Sequence, residues 1–347
     1  MTPAAWKTWT ALGLVYVVWG STYLAIHYVV VGLPPLLTAA ARFGVASVLL
    51  AGFLVLRRGG AAFRARPRQW AGAAVIGLLL LLGGNGGVTL AERAHLPSGL
   101  TALLIAGVPL FVVLLRLLAR DLPAGRTLFG VALGFVGLAV LLLPGARPVG
   151  VSLLAAATVV CSSALWSVGS YLASRLDLPA DPLATTIGQM LGGAAGLLIV
   201  GLARGERLDP SRAGASALLG FGYLVVFGSV VAFTAYSWLL GTTPVSTVAT
   251  YAYVNPIVAV LLGAVIAGEP LSLTTLVGGG VTVLAVAVVV SERAGSRQPP
   301  DGERRGFGGE RRRFGGDRGE PGTLEATGAL ETYVPEERQG RVRSSRT

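Results

Sequence analysis

Apolar residues dominate this chain in long unbroken runs, separated by short polar connections. Ten runs stand out, at about 9–31, 35–56, 70–90, 97–118, 125–143, 151–173, 182–203, 215–240, 244–267 and 272–290. A helix needs about 20 apolar residues to cross the hydrocarbon of a bilayer, so the pattern predicts ten membrane-spanning helices. The first run is too long for a signal-peptide core and no cleavage site follows it, so it is expected to be retained. After residue 290 the pattern stops. The segment 291–347 is rich in Gly, Arg, Glu and Pro, with too few apolar residues to build a core, and is expected to be a disordered tail.

The runs also repeat. At an offset of 147, Trp19 matches Trp166, Pro35 matches Pro182, Thr38 matches Thr185, Pro97 matches Pro244 and Pro109 matches Pro256. One offset carrying five landmarks across four spans indicates an internal duplication. The register then slips by one, so that Asp121 corresponds to Glu269 and Gly130 to Gly278. Each half holds five spans. An odd number forces the second half to lie upside down relative to the first, the ground plan of many secondary transporters. The expected organisation is a short N-terminus (1–8), a five-helix repeat (9–143), a second five-helix repeat (148–290) and the tail (291–347). The fold class is thus an all-α integral membrane protein with ten transmembrane helices in two inverted repeats.

Composition sharpens this. Only 13% of the residues are charged while 53% are hydrophobic, with 49 glycines besides, which excludes an ordinary soluble enzyme or nucleic-acid-binding domain. The net charge of +11 divides unevenly: residues 1–290 hold 16 Lys/Arg against 7 Asp/Glu, and 291–347 hold 12 Arg against 10 acids. The basic excess therefore lies in short loops between spans. With the N-terminus inside, cytoplasmic loops carry ten Lys/Arg, among them Arg57, Arg58, Arg64, Arg66, Arg68, Arg116 and Arg120. Outer loops carry five: Arg93, Arg147, Arg204, Arg207 and Arg212. The bias places both termini in the cytoplasm of a cell with this chain in its inner (plasma) membrane. The near-balance of charge in the tail argues against tight nucleic-acid binding.

The segment YAYVNPIVAVLLGAVIAGEPLSLTTLVGGG at 251–280 resembles the C-terminal signature of EamA-type members of the drug/metabolite transporter superfamily. VVWGSTYLAI at 17–26 and LTAAARF at 37–43 resemble that family's first and second helices. The first half departs from the pattern, since its equivalent of the Gly-Glu pair reads Arg120-Asp121. The resemblance covers about 9–290. It implies two five-helix repeats and transport, often export, of small metabolites such as amino acids.

Candidate binding residues follow from spacing. Tyr16, Trp19, Tyr23 and His27 share one helical face of the first span, and the offset maps them to Ser163, Trp166, Ser170 and Ser174 in the sixth. Trp19, Tyr23, Trp166 and Ser170 are expected to line a central cavity. In the ninth span Thr247, Tyr251 and Asn255 recur at four-residue spacing, opposite apolar counterparts Leu100, Leu104 and Val108, so one wall is expected to be polar and the other greasy. An amphipathic solute fits that asymmetry. Pro109 and Pro256 predict kinks. Arg42 lies about 12 Å into the second span, where charge is costly; its guanidinium suits a carboxylate or a phosphate. In GGNGG at 83–87, Asn85 is a candidate to face the cavity and the glycines allow close packing or a local break. Gly130–Gly134 and Gly192–Gly196 read as further packing faces. Glu269 is expected to shape a turn, and Glu92, Arg93 and His95 to form a solvated outer loop.

No carboxylate then falls inside a span, so no proton or sodium site is visible in the sequence. There is no ATP-binding motif, no cluster of metal-ligating residues, a single cysteine (Cys161) and no catalytic constellation, so neither cofactor nor metal is expected. The expected function is a secondary or facilitative transporter of a small amino-acid-like or amphipathic metabolite, an exporter working by alternating access. The partners are that solute and the lipid bilayer; the sequence leaves the oligomeric state open. Two alternatives remain at this point: a membrane scaffold acting through its tail, and a lipid-handling membrane protein.

Overall fold

The computed structural model describes residues 3–143, 152–209, 211, 213–243, 245–248 and 250–295. The tail beyond 295, together with Arg147, Arg212 and Pro244, lies outside the described residues. The described residues are helical throughout, joined by short connections. We number the spanning units α1 (Pro3–Gly32), α2 (Pro35–Arg58), α3 (Pro67–Arg93), α4 (Ser98–Leu118), α5 (Gly125–Leu142), α6 (Leu153–Ala173) and α7 (Pro182–Ala203). Then follow α8, built from Ala215–Tyr223, Leu224–Val231 and Ala232–Thr242; α9, built from Val245–Val248 and Tyr251–Ile266; and α10 (Leu273–Gly295). Among the described residues nine helices are long and apolar enough to cross a bilayer, and the apolar helix Tyr251–Ile266 is shorter.

Local chemistry sets where the helices begin. Pro35, Pro67 and Pro182 stand in the first turns of α2, α3 and α7, where the missing N–H breaks no bond. Asp181 caps α7, accepting from Leu183 N at 2.8 Å, and pairs with Arg58 at 2.6 Å. Ser152 caps α6 through Leu154 N at 3.1 Å. Gly205 and Gly268 leave α7 and α9 with φ of 76° and 65°, a conformation that strains any side chain.

Packing partners come in matched sets. α1 lies against α8 and α9, and α6 against α3 and α4; α2 lies against α7, and α5 against α10. Small residues make these approaches close. A Cβ on Gly77 would fall 1.9 Å from the Gln189 carbonyl oxygen, and one on Gly192 2.5 Å from Ala74 Cα, so α3 and α7 touch backbone to backbone. Gly130 and Gly134 likewise leave room for Val289 and Leu110, and Gly83, Gly84 and Gly87 for Leu165, Trp166 and Ser162. Side chains exposed on the outside of the helices are largely apolar, as with Val48, Phe129, Ile199 and Leu219. In water they would form a large apolar patch; in a bilayer they face lipid.

Regularity fails at four matched places. Leu78–Gly86 in α3 and Leu224–Val231 in α8 are wound as π-helix, which re-aims side chains at functional sites. α4 is interrupted at Ala106–Gly107, just before Pro109, and α9 is interrupted before Tyr251, leaving Pro256 within its longer piece. Hydroxyls from neighbouring helices meet both interruptions. Ser163 donates to the Leu104 carbonyl at 3.0 Å and Ser167 to that of Val108 at 2.9 Å. The Tyr16 hydroxyl pairs with Thr250. Tyr16 and Ser163 are the residues that the 147 offset equates.

One expectation fails here. α3 does not stop at 90 but continues through Arg93, and Glu92 is 2% exposed rather than solvated. Arg93, in the added turn, donates to the Val30 and Val31 carbonyls at the end of α1, at 3.0 and 3.2 Å.

Candidate functional site

A cavity of about 1080 Å³ runs between α1, α2, α3, α4, α6, α8 and α9. It reaches Arg116, Asp121, Ser174 and Arg175 at one end of the bundle. Of these, Ser174, Arg175 and Asp121 are exposed. Toward the other end it stops at Ile26, Val88 and Ala102. Beyond lies a buried layer that includes Val29, Val30, Leu33, Leu96 and Leu100, each at most 7% exposed. The cavity is therefore open at one end and sealed at the other.

Two carboxylates tie the sealed end together across the halves. Glu206, before α8, accepts from the backbone N–H groups of Leu36 and Leu37 at 3.0 and 2.9 Å. Glu269, after α9, accepts from Ser98 at 2.7 Å and Gly99 at 3.0 Å. Each satisfies donors that the first turn of a helix leaves free, and each lies at a positive helix terminus. The Glu269 turn is thus also a cap on α4.

All eight candidate binding residues named from the sequence lie on this cavity wall: Trp19, Tyr23, Arg42, Asn85, Trp166, Ser170, Tyr251 and Asn255. Pro109 and Pro256 border it as well. Trp19 donates through Nε1 to the Gly228 carbonyl at 3.2 Å, a group on the π-wound turn of α8. Its ring lies 5.0–5.3 Å from those of Phe233, Tyr236 and Tyr251. Trp166 packs on Gly84, where a Cβ would be 2.6 Å from its ring. Ser170 donates to the Trp166 carbonyl at 2.8 Å and leaves its lone pairs to the cavity. With its amide nitrogen turned toward acceptors, Asn255 donates to the Tyr251 and Tyr16 carbonyls at 3.2 Å each, joining α9 to α1.

Among the described residues Arg42 is the only cation within the middle of the cavity wall. It is 5% exposed. Its Nε donates to the Ser229 hydroxyl at 2.9 Å, and its Cζ lies 4.7 Å from the centre of the Phe43 ring. Among the described residues no carboxylate pairs with it. Beside it a void of about 10 Å³ is bounded by Thr38, Asn85 and Thr89, close to the room that one water needs. Thr38 Oγ1 and Asn85 Oδ1 are both buried and lack a hydrogen-bond partner. The Arg42 guanidinium can meet an anion at the cavity wall, while the Asn85 oxygen calls for a donor such as water.

The remaining residues of the stripes divide. Tyr16 and His27 do not line the cavity: Tyr16 is turned to Thr250, and His27 packs against Tyr28. Thr247 and Val108 line it, while Leu100 and Leu104 are buried in the core and Ala102, Ile105 and Ala106 face the cavity instead. Phe233, Tyr236 and Ser229 went unseen in the sequence. They sit in or just after the π-wound turn of α8, where helical spacing no longer predicts a face.

Comparison with known proteins bears on most of the chain, up to residue 291 for the family model. The model of the EamA-like transporter family matches twice, at residues 7–143 and 153–291. The chain belongs to the EamA-like transporter family. Within it, the uncharacterized inner membrane transporter YedA of Escherichia coli (strain K12) is 40% identical over 80% of this chain and 89% of its own length. An uncharacterized transporter of Archaeoglobus fulgidus is 26% identical over 83% of this chain and its whole length. A solved crystal structure that is 20% identical shares the fold, with a TM-score of 0.56 over 86% of this chain and 100% of that one. This EamA-family chain is accordingly a multi-pass membrane protein of a transporter family, with one family unit in each half.

Proposed function

We propose that the protein exports a small amphipathic, amino-acid-like metabolite carrying a carboxylate, by alternating access between two inverted repeats. The observation that carries this reading is Arg42: a buried guanidinium with no acidic partner, in the wall of a cavity sealed at one end. A buried charge left unpaired is costly, and an incoming anion removes that cost. The aromatic group around Trp19 offers flat apolar surface beside it, and the α4 wall is apolar. The cavity is at the upper end of the range for small-molecule sites, room for a metabolite and some water.

Inversion of the repeats is supported by the five-span count, the two family matches and the paired π-wound turns of α3 and α8. The arginine bias assigns the open end to the cytoplasm, the end from which an exporter loads. The name of the YedA relative is consistent with an inner-membrane location. On this reading both termini are cytoplasmic, Trp19, Tyr23, Asn85, Trp166, Ser170, Tyr251 and Asn255 surround the solute, and Arg42 holds its carboxylate.

The test compares metabolites in the medium of cells lacking the protein, cells overproducing it and cells overproducing the Trp19→Ala/Asn255→Ala variant. One carboxylate-bearing metabolite is expected to accumulate outside only with the intact chain. An unchanged medium with an altered internal pool would contradict export. With that metabolite in proteoliposomes, Arg42→Gln is expected to raise the half-saturating concentration about ten- to a hundredfold, as loss of a charge-assisted hydrogen bond of roughly 1.5–3 kcal/mol implies. An unchanged value would remove the carboxylate from the proposal.

A further inference from the structure

Glu92 lies outside the cavity, at the sealed end, and the transport reading gives it no role. It is 2% exposed, and neither carboxyl oxygen has a hydrogen-bond partner among the described residues. The groups around it do not neutralise a charge. From α1, Tyr23 is within electrostatic reach, and from the turn after α9 so is Glu269, whose own carboxylate is committed to the N-terminus of α4. Ser98, at that N-terminus, is fully buried with its hydroxyl also unpartnered. On the same helix Arg93 is engaged with the end of α1, and in the turn just after it His95 is exposed. α2 contributes Arg42, which is turned to Ser229, and α6 contributes Cys161, which is exposed. His27 of α1 packs on Tyr28 with Nδ1 buried and unpartnered.

An ionised carboxylate in such a place lacks both donor and counter-charge, and lies beside a second carboxylate. Burial of an unpaired ion costs far more than burial of the neutral acid. Exposure to water removes the difference. The sealed layer at this end is built from α1, the connection that carries Leu96 and the start of α4, elements that must part if this end opens.

We propose that Glu92 is a proton-binding latch: it carries a proton while this end is sealed, and releases it to water on that side when the end opens. The proton moves from the carboxyl to solvent, and the carboxylate left behind resists resealing until it is protonated again. Acid on that side thus favours the sealed arrangement, with the cavity open at the arginine-bearing end. This inference rests on the alternating-access reading above, and on that reading it makes return of the empty carrier sensitive to external pH.

The test uses the full-length protein in detergent, where both ends meet the same buffer and no substrate is needed. In a Cys161→Ala background, Leu33→Cys places a thiol in the sealed layer (Leu33 is 7% exposed), and Leu208→Cys provides an exposed reference (50% exposed). The rate of reaction with a polar maleimide is expressed as the ratio of the first to the second, which cancels the pH dependence of thiol reactivity. A group that ionises only in the open state changes the open-to-sealed ratio by up to about tenfold per pH unit between about pH 5 and about pH 8. With Glu92 in place the ratio is expected to climb with pH on that scale. Glu92→Gln, an isosteric stand-in for the protonated acid, is expected to keep the low acid-side ratio throughout, and His27→Gln/His95→Gln to keep the wild-type climb. A flat ratio with Glu92 present overturns the latch. So does a climb that survives Glu92→Gln, or one abolished by the histidine variant or by Glu269→Gln instead. If Leu208→Cys reacts and Leu33→Cys reacts at no pH, the end never opens, and the latch fails together with alternating access.

Discussion

The two ends of the cavity hold charged groups to opposite effect. At the open end Arg116 pairs with Asp121 at 2.7 Å, with side chains 30% and 53% exposed, and Arg175 stacks 3.5 Å over Tyr171. Water and salt screen such contacts, and an exposed pair contributes little. At the sealed end the carboxylates of Glu206 and Glu269 form no ion pair among the described residues. They accept instead from the first backbone N–H groups of α2 and α4. Those donors would otherwise be unsatisfied. Charge at one end is ornament on a wet rim, whereas at the other it joins the halves. The comparison teaches that an ion-pair count would locate the strength of this bundle at the wrong end.

Removal of the sealed-end acceptor gives the largest expected effect. Glu269→Ala leaves the Ser98 and Gly99 donors unpaired and is expected to lower stability by about 1–3 kcal/mol, read as a lower unfolding temperature in detergent, with faster labelling at Leu33→Cys. An intermediate effect is expected where α4 is interrupted. Ser163→Ala with Ser167→Ala frees the carbonyls of Leu104 and Val108, and interhelical bonds of this kind contribute about 0.6 kcal/mol each in membrane proteins. The same thermal assay should register roughly twice that. Smallest is Asp121→Asn at the open rim, expected to cost less than about 0.5 kcal/mol and to leave labelling at the sealed end unchanged. A loss there as great as for Glu269→Ala would erase the contrast between the ends.

Much of the architecture was legible because the bilayer imposes a coarse rule: a spanning helix must be long and apolar. The starts of α2 and α7 at Pro35 and Pro182 fall where the sequence put them. The eight cavity residues were legible because bulky aromatics and a lone Arg stand out against Leu, Val, Ala and Gly. Finer matters were not. Glu92 follows the apolar run 70–90 and precedes Arg93, a pattern that reads as loop; in the structure the helix runs on, with Arg93 bonded to the end of α1 and Glu92 buried. Phe233 and Tyr236 were missed because the π-wound turn of α8 shifts the face by a fraction of a turn that no 3.6-residue spacing anticipates. On α4 the cavity face carries Ile105 in place of Leu104.

The central claim is that the sealed and open ends exchange roles. Distances between spin labels test it most directly, with one pair at the sealed end (Ala94→Cys and Leu208→Cys) and one at the open end (Leu118→Cys and Leu176→Cys), all at exposed positions, in a Cys161→Ala chain in lipid. The account predicts two distances at each end, with acid raising the short population at the sealed end and the long population at the open end together. A single distance at both ends, unmoved by pH, would contradict it.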